Sequence, residues 1–324
     1  MMKTDANPPK SGFMIWALRL LGSAVFLAAV FYFMPLGEVV TAAKKLQPTI
    51  WLSALTIFLS GHVVASLKWR LLISAGAEIP VYTAVRAHFA GLAANLCLPG
   101  VAGGDVVRAG IAMRSASDPA RIAAGSLLDR LLDTFGLLIL SLIGGVWAIG
   151  FAVFDMQLAI IVGLIVLIAA AAIGGYLILC KMRLGALQKL TGKIDALIAD
   201  FSRRPLRLIA CLILSMSIQS IFIATTIILA RATVADASVA QWFFAWPLAK
   251  LIAILPFSLA GLGVREAGLA AVLSGFGADP AGIVAASLLW QSILFAGGMI
   301  GGLILLLTSQ KAPAGDMPDH AGGD

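Results

Sequence analysis

The chain has 324 residues, of which 60% are hydrophobic and only 12% charged; soluble domains carry about 25% charged residues, so a water-facing fold would lack polar surface. Twenty-three Lys and Arg against 16 Asp and Glu leave a net charge of +7. The basic residues sit between apolar runs, a pattern that orients a membrane protein and does not point to nucleic acid. Cys97, Cys180 and Cys211 are far apart without a Cys-x-x-Cys pair, so no disulfide and no metal site is expected.

A bilayer-crossing helix needs about 20 mostly apolar residues. In chain order, six segments qualify: about 14–34, 49–67, 122–151, 157–180, 207–230 and 281–309. The first follows Lys3 and Lys10 and resembles a signal peptide. It is longer than a signal core and lacks a small-residue cleavage site, so it is expected to be a retained helix behind a cytoplasmic segment 1–13. Stretches 83–113 and 241–275 are also apolar but are broken by Pro and Gly near their middles. Non-helical backbone at membrane depth is tolerated only where protein or a polar cavity covers it, so each is expected as a re-entrant or broken-helix hairpin. The tail 310–324, rich in Gly, Pro and Asp, is expected to be disordered. The fold class is therefore an all-α polytopic membrane protein, with one transmembrane domain over 14–309.

Loop charge sets the orientation. The connection 181–207 holds Lys181, Arg183, Lys189, Lys193, Arg203, Arg204 and Arg207, which places it in the cytoplasm; the connection near Asp155 has no basic residue. Both termini then fall on the cytoplasmic side, with Lys68, Arg70, Arg86, Arg108, Arg114 and Arg121. Lys44 and Lys45 fall outside and are the exception.

The two broken stretches resemble each other. The first reads Asn95-Leu96-Cys97-Leu98-Pro99-Gly100 and then Gly103-Gly104-Asp105-Val106-Val107-Arg108; the second reads Leu255-Pro256 and then Gly261-Leu262-Gly263-Val264-Arg265-Glu266. Downstream, Ala124-Gly125-Ser126-Leu127-Leu128 is answered by Ala285-Ala286-Ser287-Leu288-Leu289. Two matches in one order imply an internal repeat, about 83–151 and 241–309. Loop charge puts the first hairpin on the cytoplasmic side and the second outside, so the repeat is expected to be inverted, a transporter signature. Pro99 and Pro256 end a helix and the glycines permit a turn. Free N–H groups opening the next half-helix suit an anion, with Arg108 and Arg265 about one turn further on. The alternative is close packing at the glycines and arginines that snorkel to the interface.

The helix from 122 carries Asp129, Arg130 and Asp133. Ser126, Asp129, Asp133 and Gly136 follow i, i+3, i+7 and i+10, one helical face. Ionisable groups inside a span mark a pathway or a pairing, and both stay open here. Two carboxylates at i, i+4 need a nearby cation, for which Arg130, Arg108 and Arg265 are candidates. The second copy has Ser287, Trp290 and Gln291 instead. Lys250 is either a headgroup contact or an interfacial residue. His62 and His88 are expected as lone histidines near helix ends, either interfacial or satisfied in packing, and Trp16, Trp51, Trp69 and Trp242 as an interfacial belt.

With Lys68-Trp69-Arg70 and Leu127-Leu128-Asp129-Arg130, these motifs make residues 10–310 resemble the membrane region of lysylphosphatidylglycerol synthases, a flippase-like domain that also occurs alone in bacteria and archaea. The resemblance implies translocation of a lipid: an aminoacylated phospholipid, or an isoprenoid-linked or hopanoid-related one, as in stand-alone members associated with hopanoid biosynthesis. With about 14 residues after the last helix and no transferase domain, lysyl-lipid synthesis is not expected. The expected setting is the bacterial inner membrane and the partners are lipids with anionic headgroups. No cofactor is expected. Arg108 and Arg265 would meet the anion, with Asp105, Asp129, Asp133 and Glu266 balancing them or relaying protons. A membrane-embedded lipid-modifying enzyme is the alternative, although no His-Glu-x-x-His, paired Asp-Asp-x-x-Asp or nucleophile-elbow motif is present. A third is a scaffold for lipid-biosynthesis proteins, docked through the basic 181–207 loop.

Overall fold

The computed structural model describes residues 46–73, 79–97, 103–114, 116–150, 205–233, 235–253 and 263–309, with a few isolated positions besides. These form eight helices and no strand: α1 (Pro48–Ile73), α2 (Val81–Cys97), α3 (Gly103–Met113), α4 (Pro119–Ile149), α5 (Pro205–Ala232), α6 (Val239–Ala253), α7 (Val264–Ser274) and α8 (Pro280–Ser309). Among the described residues four helices, α1, α4, α5 and α8, are long and apolar enough to cross a membrane. They coincide with four of the six expected spans. Spans 14–34 and 157–180, segment 1–13, tail 310–324, most of the basic loop, Pro99, Pro256 and Gly261 lie outside the described residues.

Proline opens all four long helices. Its fixed φ suits a first turn, where its missing N–H costs no intrahelical bond. Side-chain caps reinforce the starts. Asp118 accepts from the Arg121 amide at 3.3 Å, and Asp279 from the Gly282 amide at 2.7 Å. At α6, Ser238 and Gln241 bond each other's amides at 2.8 and 3.3 Å, a reciprocal cap. The described residues of each broken stretch form two short helices, α2–α3 and α6–α7, on either side of the segments that carry Pro99-Gly100 and Pro256 to Gly261.

Packing directions follow from contacts along each pair. α1 and α5 are antiparallel: Gly61 abuts Phe222, and Lys68 reaches Ser215. α4 is antiparallel to α1, with Ile73 against Gly125 and Lys68 beside Asp129 and Asp133. α8 is parallel to α1, with Trp51 bonded to Ser292 and Phe58 against Gly297. α2 lies antiparallel along α8, through Leu96 on Gly298, Phe89 on Gly301 and Arg86 donating to Thr308 at 2.8 Å. α6 lies along α4, where Gly144 admits the backbone of Phe243 and Phe244 and Ser141 donates to the Phe244 carbonyl at 3.2 Å. Every further pairing, such as α2–α3, α3–α4 and α1–α2, has its counterpart in α6–α7, α7–α8 and α5–α6. The main apolar core gathers Phe58, Phe222, Trp246 and Trp290 from four of these helices.

α1 extends past the expected end at 67. Lys68 and Trp69, expected in a flanking loop, are buried inside it. Trp242 is buried as well, so neither tryptophan side chain is exposed as a member of an aromatic belt would be. Packing against polar partners on neighbouring helices accounts for the change at Lys68 and Trp69.

Candidate functional site

Among the described residues the largest polar assembly forms where α1, α3, α4 and α5 meet. The small-and-polar stripe on α4 does face inward: Ser126, Asp129 and Gly136 are buried and Asp133 is partly buried. Lys68 sits between the two carboxylates. Its Nζ is 2.9 Å from Asp129 Oδ1 and bonds Asp133 directly. Lys68 also donates to Ser215 Oγ at 2.8 Å, and that hydroxyl donates to Asp133 at 2.8 Å. The cation that resolves the i, i+4 repulsion is thus Lys68, outside the three expected arginines, although Arg108 contributes. Arg108 Nη2 lies 3.1 Å from Asp129 Oδ2 and 3.3 Å from Asp105. The Arg108 guanidinium stacks 4.7 Å over the Trp69 ring, whose N–H donates to Ser126 Oγ at 3.0 Å. Arg130 forks onto Asp105 with two bonds of 2.5 Å and is 46% exposed. Three cations and three carboxylates therefore cancel.

Asn95 has a defined task. Its Oδ1 accepts from the Gly104 amide at 2.8 Å and so caps α3. A Cβ on Gly104 would strike the Gly91 carbonyl and Asn95, so this glycine permits close approach of α2 and α3. Gly103 opens α3. The second break is built differently. Gly263 takes φ 83°, a left-handed value that favours glycine. Its amide donates to Glu266 Oε2 at 2.7 Å, while Glu266 Oε1 pairs with Arg265 at 2.7 Å and accepts from Ser287 at 3.0 Å. Arg265 further reaches the Ser287 carbonyl and Gln291, each at 3.4 Å. One amide at each helix start, expected to be open to an anion, is thus already bonded within the protein. Arg265 does not join Asp129 and Asp133; its partner is its own neighbour.

Lys250 has a different environment. Its Nζ donates to Gln219 Oε1 at 2.8 Å and lies 4.8 Å from the Trp246 ring and 5.5 Å from Phe222. Among the described residues no carboxylate is paired with it. It is within electrostatic range of Asp133, Arg130, Arg265 and Lys68, members of both charged groups. His62 and His88 are not lone residues at helix ends. They lie mid-helix on α1 and α2 with Nδ1 of His62 3.0 Å from Nε2 of His88. Neither Lys68 nor the histidine pair was assignable from spacing, because both depend on contacts between helices.

Long apolar helices around buried, mutually compensated charges define a helical multi-pass membrane protein. Residues 16–302 match the family model of the lysylphosphatidylglycerol synthase TM region, and the chain belongs to that family. No curated protein matches it.

Proposed function

We propose that this chain translocates a lipid with an anionic headgroup across the bacterial inner membrane, with both termini cytoplasmic. The observation that carries the reading is Lys250, a half-buried cation with no carboxylate paired to it among the described residues, within electrostatic range of both the neutral six-charge cluster and Arg265. A buried cation without a counter-charge is costly, and a phosphate arriving beside it would remove that cost. Arg108 and Arg265, engaged by carboxylates, then act as secondary contacts that exchange partners as the headgroup passes.

An inverted repeat supports alternating access. In support, exchanging α1 to α4 with α5 to α8 leaves the set of packed helix pairs unchanged. In addition, α1 and α5 run oppositely, as do α4 and α8.

Reconstitution into liposomes with headgroup-labelled phosphatidylglycerol tests the proposal. Lys250→Gln is expected to slow translocation about 10-fold or more, the scale of one lost charge-assisted contact. Arg108→Ala and Arg265→Ala are expected to slow it too. Rates unchanged in all three variants would remove the site assignment. A change in lipid mass on incubation would instead support the enzyme alternative.

A further inference from the structure

His62 and His88 carry one unused capacity. The 3.0 Å contact between Nδ1 and Nε2 requires one bridging proton. A neutral pair holds two N–H protons, one in the bridge and one on an outer nitrogen. The outer nitrogens, His62 Nε2 and His88 Nδ1, are buried and have no hydrogen-bond partner among the described residues. One of them is therefore bare and can take a single further proton, making the pair a monocation.

The surroundings decide when that proton is acceptable. Lys68 on α1, Arg108 on α3, Arg130 on α4 and Lys250 on α6 all act on the pair electrostatically. From α5 the Phe222 ring lies 5.1 Å from that of His62, and the charged residues of that helix, Arg207 and Arg231, are at its two ends. α8 contains no charged residue, and Arg86 on α2 turns to Thr308. The carboxylates Asp105, Asp129 and Asp133 are held by Arg130, Arg108 and Lys68. The six cancel, so among the described residues a protonated Lys250 leaves the region one positive charge in excess. The Phe222 ring that His62 touches also lies 5.5 Å from Lys250 Nζ, so the histidine pair and the lysine share a wall.

We propose that the His62–His88 pair is a proton site linked to an anion site at Lys250: one proton binds the bare outer nitrogen as one phosphodiester or phosphate anion arrives beside Lys250. The anion neutralises the excess charge, and the proton restores it. Each ligand therefore favours the other by the same factor. Resting on the lipid-translocating role above, this couples one proton to one anionic lipid without net charge movement.

The full chain with His320→Gln keeps only these two of its three histidines, so 15N-histidine NMR in vesicles reads the pair alone. In phosphatidylcholine vesicles near neutral pH one bare nitrogen is expected. Adding phosphatidylglycerol should convert it to N–H, and Lys250→Gln should abolish the conversion. Inorganic phosphate in phosphatidylcholine vesicles is the second arm; conversion there supports the linkage with a soluble anion as its source. A nitrogen that stays bare in both arms, or that is protonated without either anion, overturns the proposal. In transport, labelled phosphatidylglycerol should reach about a tenfold asymmetry per imposed pH unit, lost in His62→Gln/His88→Gln. Translocation indifferent to the gradient overturns the proton coupling but keeps the translocating role. Protonation on adding phosphatidylglycerol without its translocation does the reverse. Failure of the double variant to fold leaves the native spectrum to decide.

Discussion

At Lys68 one ammonium group serves two carboxylates and a hydroxyl from two other helices. Its side chain is 1% exposed and that of Asp129 3%, so its loss would strand buried negative charge. Breaking a buried pair from one side costs about 3–5 kcal/mol. Lys68→Met is therefore expected to lower the melting temperature of the purified protein sharply. Lys68→Met/Asp133→Asn should recover part of that loss, because one of the stranded charges goes with it; a double variant no more stable than the single one would contradict the pairing. Glu266 holds the Gly263 amide and Arg265 together. Glu266→Gln is expected to keep the cap and lose the ion pair, so it should be milder than Glu266→Ala in the same melt.

Between elements, close approach depends on small residues more than on polar ones. On α8 a Cβ at Gly301 would run into the Phe89 carbonyl of α2, whereas at Gly302 the nearest atom would be the Ala93 Cβ at an ordinary 3.8 Å. Overpacking costs about 1–3 kcal/mol, and helices in lipid associate largely through such contacts. Gly301→Ala is expected to destabilise the protein by that amount in a thermal melt, and Gly302→Ala by much less. Equal effects would mean that α2 does not lie on α8 as described. The α2–α3 and α6–α7 interruptions were legible from Pro99, Pro256 and their glycines because proline and glycine act on the backbone within a few residues. The partners of Asn95 and Glu266 were not, since spacing alone does not distinguish a cap from an open amide.

Across the whole molecule, α4 and α8 begin at opposite ends of the assembly. Ser117, just before α4, and Gly275, ahead of α8, are both exposed. In a background without Cys97, Cys180 and Cys211, Ser117→Cys and Gly275→Cys are expected to react with an impermeant thiol reagent from opposite faces of the membrane. Labelling of both from one face would rule out the inverted arrangement. The loop charges lead to the expectation that Ser117 lies on the cytoplasmic face, so the same experiment tests the orientation.

Membrane class, the positions of four long helices, the two interruptions and the inward face of Asp129 and Asp133 were set by the sequence itself. Those features arise from runs of apolar residues, local backbone restrictions and helical periodicity, all of which act over short distances along the chain. Which cation lies between the carboxylates, that Trp69 is buried, that Arg265 pairs with its neighbour and that two distant histidines meet were decided only by tertiary packing. Each depends on side chains brought together from separate helices, and charge matching alone allowed several partners for every one of them.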